Sequence, residues 1–181
     1  MASASEAKGI EVPGLSLAPR RGLLIGSLRY FDAQDVMAAN LGALVGGSLP
    51  GPGAAIRHPI GSAGEIILAW RSPTESFVIT GAEAVFAQIS QRAAADRSAG
   101  YLVDQTGGFW IWELGGPRAR DLLLRLGSAA SIPAVGEART SRIAELPVLA
   151  ASVRPGTFLL VVERVLSEHL LAWIAETVAD L

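Results

Sequence analysis

The sequence predicts an α+β fold made of two interlocked split β-α-β-type subdomains with mixed or antiparallel sheets. Three observations carry this. Of the 181 residues, 50% are hydrophobic and 18% charged, enough apolar matter for a sizeable core. The apolar runs are mostly of strand length and are separated by Gly, Pro and Ser clusters that mark turns. Their order reads β-α-β-β-α-β and then β-α-β-β-β-α. Strands fall in hairpins more than in parallel crossovers, which ranks α+β above a doubly wound sheet, and the first half follows the split β-α-β-β-α-β plan.

Residues 1–18 read as a flexible leader ahead of one domain, 19–181, with subdomains of about 19–106 and 107–181. A first strand is expected at 22–30 (GLLIGSLRY). Asp32 then offers an N-cap, with Asp35 in the acidic position of a capping box, for a helix over 33–44 that has Val36, Met37, Asn40, Leu41 and Leu44 on one face. Gly42 to Gly53 is a Gly/Pro-rich connection. Residues 64–71 and 76–80 form a hairpin about the turn Ser72-Pro73-Thr74-Glu75. Thr80 and Glu83 have capping-box spacing for a helix to about Asp96, its buried stripe being Val85, Phe86 and Ile89.

A strand at Tyr101–Thr106 and another at Phe109–Leu114 are expected to pair through a two-residue turn, Gly107-Gly108. Pro117 suits the first turn of a helix through Leu126, and Gly127 its C′ position. Strands follow at 137–145 and 146–153, joined near Glu145, and at Thr157–Val162. The terminal helix spans 164–179, with Leu166, Leu170, Ile174, Val178 and Leu181 as its stripe and Trp173 beside it.

Missing residue types exclude whole chemistries. There is no cysteine, so thiol catalysis, thiolate zinc sites, iron–sulfur clusters, disulfides and cysteinyl-flavin links are ruled out. The one lysine, Lys8, lies in the leader, which disfavours a Walker loop, a pyridoxal Schiff base or a Ser-x-x-Lys hydrolase. The two histidines, His58 before Pro59 and His169 in the terminal helix, have no metal-ligand spacing. A net charge of −2 gives no case for nucleic acid or an anionic membrane. The leader lacks the apolar stretch of a secretory signal, and no apolar run approaches the roughly 20 residues of a membrane helix. A cytoplasmic protein is expected.

The glycine-rich stretch Gly46–Gly53 lacks the Gly-Lys-Ser/Thr ending of a phosphate loop and the third glycine of a dinucleotide fingerprint, and reads as a connection. No Gly-x-Ser-x-Gly nucleophile elbow occurs. His169 reads as a helix-surface residue, and Arg118, Arg120 and Arg125 as a solvated face that could otherwise bind a carboxylate or phosphate. Glu75 in the hairpin turn and Asp104 before the glycine pair are the leading acids, though turn geometry accounts for both. Trp110 and Trp112 alternate with Phe109 and Ile111. Either that strand is central and covered on both sides, or one face docks on a partner.

The stretch Val103–Arg120 (VDQTGGFWIWELGGPRAR) resembles a recurring element of folate-dependent one-carbon proteins. In these, an Asp-x-Ser/Thr strand is followed by one ending in Ser/Gly-Gly-Pro-x-Ala-Arg, where a helix begins. Members include the glycine cleavage aminomethyltransferase (T-protein) and subunits of heterotetrameric sarcosine oxidase. The T-protein is far longer than this chain, whereas the sarcosine oxidase γ subunit is close to its size. Further stretches resemble that γ subunit: Ala69–Glu75 its Leu-Gly-Pro-Asp-Glu hairpin, Ala138–Leu149 its penultimate sheet, Phe158–Val161 and the Ser167–Ile174 helix its last elements. The likeness runs from about residue 20 to the end. Two departures stand out: Ser76 where tryptophan usually follows the hairpin acid, and Gly127–Pro133 in place of a Gly-Cys-Pro-Leu-Asp segment.

The resemblance implies a folate-binding, T-protein-like fold in short form. It implies a non-catalytic γ-like subunit of a multimeric oxidase that demethylates sarcosine or a related N-methyl amine, linked to tetrahydrofolate one-carbon metabolism. Its partners would be α/β-type oxidase subunits or further copies of itself. No cofactor is expected in this chain; flavin, NAD and tetrahydrofolate belong on partner subunits. The expected partner surface is Trp110, Trp112 and Trp173. The rival reading is a free-standing folate-binding or aminomethyltransferase-like protein. A pterin would then need a carboxylate for its amino-pyrimidine edge, and Glu75, Asp104 and Glu113 are the acids at hand.

Overall fold

A computed structural model describes residues 8–31, 47–60, 64–95 and 100–181. The helix expected over 33–44 lies outside the described residues. The strands in chain order are β1 (Ile10–Val12), β2 (Leu15–Pro19), β3 (Leu24–Tyr30), β4 (Ala55–Pro59), β5 (Glu65–Ser72) and β6 (Glu75–Thr80). Helix α1 (Glu83–Ala95), β7 (Gly100–Asp104), β8 (Phe109–Gly115) and α2 (Ala119–Leu126) follow. The chain closes with β9 (Glu137–Ile143), β10 (Leu146–Arg154), β11 (Thr157–Glu163) and α3 (Ser167–Ala179). They form a six-stranded sheet in the order β1-β2-β8-β11-β10-β9 and a five-stranded sheet in the order β4-β5-β6-β3-β7.

Every strand pair is antiparallel, so each strand presents alternate residues to opposite faces. In β8, Ile111 and Phe109 join a core with Ile25, Phe77 and Ile79 of the other sheet, whereas Trp112 and Leu114 join Leu122, Leu170 and Ile174 of α2 and α3. The outer face of the five-stranded sheet packs Leu28, Leu68 and Val78 on Ile89 and Ala93 of α1. Among the described residues the result is four layers: two helices, six strands, five strands, one helix. At one corner the sheets are joined by backbone, where Ala54 and Glu137 form an antiparallel bridge and Ala138 N donates to Gly53 O at 2.9 Å.

The flexible-leader expectation is corrected over residues 10–18. These belong to the β1–β2 hairpin, and β2 pairs with β8 from Ser16↔Gly115 to Pro19↔Trp112. The driving force is plain in retrospect, because Leu15 and Leu17 alternate with polar residues and are both buried. The hairpin is also locked to the start of α2. Gly116 has φ +105°, a Cβ there would lie 2.4 Å from Gly14 O, and Arg118 N donates to that same oxygen at 3.1 Å. Glycine at 116 is therefore a steric requirement for the N-terminal hairpin to approach.

The Gly107-Gly108 hairpin is likewise corrected. β7 pairs with β3 in one sheet and β8 with β2 and β11 in the other, so the glycines carry the chain between sheets. β8 is apolar on both sides because it is central, and a central strand has no bonding edge left for β7. Two further differences remain. β4, which holds His58 and pairs with β5, is a strand missing from the expected order, its Gly/Pro-rich surroundings having concealed it. Gly127 is extended (φ −159°) and bridges Ile143, so α2 does not end on a left-handed glycine.

Candidate functional site

Glu75 opens β6 opposite Arg29 of β3, and both point into the space between the sheets on the same face as Ser27 and Phe77. Glu75 is only 8% exposed. Ser27 Oγ donates to Oε1, Arg71 Nη1 donates to the same oxygen at 2.8 Å, and Arg29 Nε stands 3.8 Å away. The Arg71 guanidinium lies 4.7 Å from the Phe77 ring centroid and 5.9 Å from that of Phe109, which reaches in from β8. Phe77 and Phe109 meet edge to face at 5.1 Å. This acid is thus the centre of a polar tie running through three strands of one sheet and touching the other.

Behind it, on the opposite face of the same sheet, Tyr30 Oη and Ser76 Oγ are 2.9 Å apart and buried. Burial pushes the Tyr30 phenol above its ordinary value; the Ser76 hydrogen bond opposes this and the nearby Glu75 charge adds to it. Ser76, small where the resembled γ subunits carry tryptophan, leaves room for that phenol.

The other two acids do not join Glu75. Asp104 is exposed on the opposite face of β7, paired with Gly26, and its Oδ1 accepts from Thr106 N at 2.9 Å. Thr106 Oγ1 in turn accepts from Ile25 N at 3.1 Å, so the Asp-Gln-Thr segment fastens the exit of β7 to β3. Glu113 sits in the six-stranded sheet and pairs with Arg20. Each carboxylate is engaged locally, and the structure assembles no shared acidic site from the three.

Of the three tryptophans expected at a partner surface, Trp112 is corrected: it is 0% exposed and packed in the core beneath α2 and α3. The strand is central, so this side chain has no path to a partner. Trp110 is partly buried beside it, their rings 6.1 Å apart, with the Arg164 guanidinium 5.1 Å over its ring. Trp173 is 45% exposed on α3 and donates through Nε1 to His169 Nε2 at 3.3 Å, one helical turn away. Arg118 and Arg125 use their guanidiniums on chain-end carbonyls, Leu181 O at 2.6 Å and Asp180 O at 3.1 Å, which fastens the end of α3 to α2. Sequence reasoning missed Ser27, Arg29 and Arg71 around Glu75, because their register is set by pairing between strands distant in sequence.

Among the described residues, no group of three or more His, Asp and Glu side chains could hold a metal ion. No described helix is long and apolar enough to cross a membrane. The model of the sarcosine oxidase gamma subunit family matches residues 29–180. This chain belongs to that family. A chain of the heterotetrameric sarcosine oxidase from Corynebacterium sp. U-96 superimposes with a TM-score of 0.78 at 19% identity, covering 92% of this chain and 84% of the other. The aminomethyltransferase T of the glycine cleavage system of Bartonella henselae superimposes with a TM-score of 0.65 at 15% identity. That match covers 89% of this chain but 45% of the longer protein. Comparison with curated proteins by sequence gives no significant match. The gamma-subunit family assignment and the T-protein-like fold therefore agree with the resemblance carried by Val103–Arg120.

Proposed function

We propose that this chain is the non-catalytic γ-type subunit of a multimeric oxidase acting on sarcosine or a related N-methyl amine. The observation that carries the reading is the family match over residues 29–180, supported by a fold that superimposes along nearly the whole chain on a protein of a heterotetrameric sarcosine oxidase. In such an assembly the partner α/β-type subunits hold flavin, NAD and tetrahydrofolate. Those groups would take two electrons from the N-methyl amine and pass them to dioxygen as hydrogen peroxide. The oxidised methyl carbon would leave either by hydrolysis as formaldehyde or by transfer to tetrahydrofolate as methylene-tetrahydrofolate, with glycine released in both cases where the amine is sarcosine.

This chain's residues do not fit those cofactors. It has no cysteine for a flavin link and no complete Gly-x-Gly-x-x-Gly loop, and its leading acids are tied to arginines, a serine and a backbone amide. Its own contribution is a four-layer body with a surface for partners, on which Trp173 of α3 is an exposed aromatic anchor.

The test is an affinity-tagged copy expressed in its native cells and recovered under mild conditions. Stoichiometric co-purification of flavin-bearing chains with amine-dependent peroxide production is expected. A colourless protein recovered alone overturns the reading.

A further inference from the structure

Trp173 shares its exposed face of α3 with a titratable neighbour. His169, Trp173 and Thr177 form one row of the helix at intervals of four residues, and both His169 and Trp173 are exposed. An indole N–H only donates, so the 3.3 Å contact from Trp173 Nε1 requires His169 Nε2 to be the bare, accepting nitrogen. The ring is therefore neutral here, with its one proton on Nδ1. With Thr177, whose Oγ1 donates to Trp173 O at 2.8 Å, the whole row carries no charge.

The charged groups around this row are not engaged with it. On α3 itself Glu168 and Glu176 are exposed. At α2, which packs against α3, Arg118 and Arg125 are bound to the Leu181 and Asp180 carbonyls, and Arg120 and Asp121 are the remaining charges. Arg164, just ahead of α3, is bound to Gly107 O and lies over the Trp110 ring. The sheet face beneath α3 is apolar, with Trp112, Leu160 and Val162. None of these charges forms an ion pair with His169 among the described residues.

We propose, in an inference that rests on the subunit reading, that docking of the flavin-bearing partner through Trp173 is gated by His169. Docking is tight while the ring is neutral and weakens as it takes up a proton. Protonation converts Nε2 from acceptor to donor, so the indole loses the contact that fixes its orientation. It also sets a cation in the middle of a row that a partner would desolvate, and interface cores disfavour charge. A proton held by the free chain and excluded from the complex lowers the association constant about tenfold at one pH unit below the midpoint of the ring's titration.

Two measurements over the range in which imidazoles change charge, about pH 5–8, test the gate. In nuclear magnetic resonance of the purified full chain, the indole N–H signal lost in Trp173→Phe is expected to shift with pH. Its midpoint should match that of the ring signal lost in His169→Gln. In His169→Gln, whose amide oxygen still accepts from the indole and takes no charge, the Trp173 signal should stay fixed. In the tagged preparation from native cells, partner affinity should fall about tenfold at one unit below that midpoint, and His169→Gln should hold its partners throughout. A Trp173 signal that does not titrate, or titrates equally in His169→Gln, overturns the gate, as does partner release at the same pH from both chains. Absence of flavin-bearing chains at every pH overturns the subunit reading and the gate with it.

Discussion

Trp112 and Trp173 carry the same side chain into opposite surroundings, and their truncations separate stability from assembly. Trp112 is enclosed by α2, α3 and its own sheet, so Trp112→Ala should lower unfolding free energy by about 3–5 kcal/mol in chemical denaturation. Its Nε1–H is buried without a partner among the described residues, so Trp112→Phe, which keeps most of the volume and deletes the orphan donor, should cost far less. Trp173→Ala should leave the denaturation midpoint nearly unchanged and reduce recovery of partner chains in the pull-down. Loss of stability without loss of partners in that variant would assign Trp173 to the fold. Tyr30 adds a pH dependence. Its phenol is raised above the ordinary value of 10.0 by burial, so the unfolded chain releases that proton first and stability is full below pH 10 and falls as pH rises beyond it. Tyr30→Phe should flatten that alkaline fall in a series of urea melts across pH 8–11.

The β9–β10 turn shows strain at the scale of an element. Ala144 and Glu145 both have positive φ, 51° and 60°, in a two-residue connection between Ile143 and Leu146. This is the backbone that hairpins of this length prefer and that Asn or Gly adopts most easily. Ala144 is buried against the helical core, whereas Glu145 is exposed and makes only a surface ion pair with Arg142 at 3.5 Å. Glu145→Asn should therefore raise stability by about 0.5–1 kcal/mol, read as a higher denaturant midpoint at unchanged slope. The same hairpin shows what was legible in the sequence: β9, β10 and their junction near Glu145 follow from alternation alone. β7 and β8 show what was not. Each strand is local information, but the choice between pairing with its neighbour and crossing to another sheet depends on which strands take the edges of β8, and those are β2 and β11. The Glu75 site divides the same way, since its turn position singled it out while Ser27 lies 48 residues away and reaches it only through the β3–β6 register.

For the whole molecule, the N-terminal hairpin and the inter-sheet core decide whether the halves are separable. β1 and β2 come first in the chain yet complete the sheet built from residues after 107. The inner face of the five-stranded sheet, with Ile25, Ile67, Phe77 and Ile79, is covered by Ile111, Leu149, Leu159 and Val161 of the other. A fragment of residues 19–106 would expose that face, and a chain beginning at residue 20 would leave β8 without a partner on one edge and uncover Leu114, Leu122 and their neighbours where Leu15 and Leu17 now pack. Both truncations are therefore expected to lose cooperative unfolding and to bind an apolar dye, whereas the full chain should melt in one transition by circular dichroism and by tryptophan fluorescence alike. A cooperative melt of the 19–106 fragment by circular dichroism would show that the five-stranded sheet and its helix fold as a unit. The shared inter-sheet core would then be a docking contact between two domains, and the early position of the hairpin a matter of connection order and not of folding.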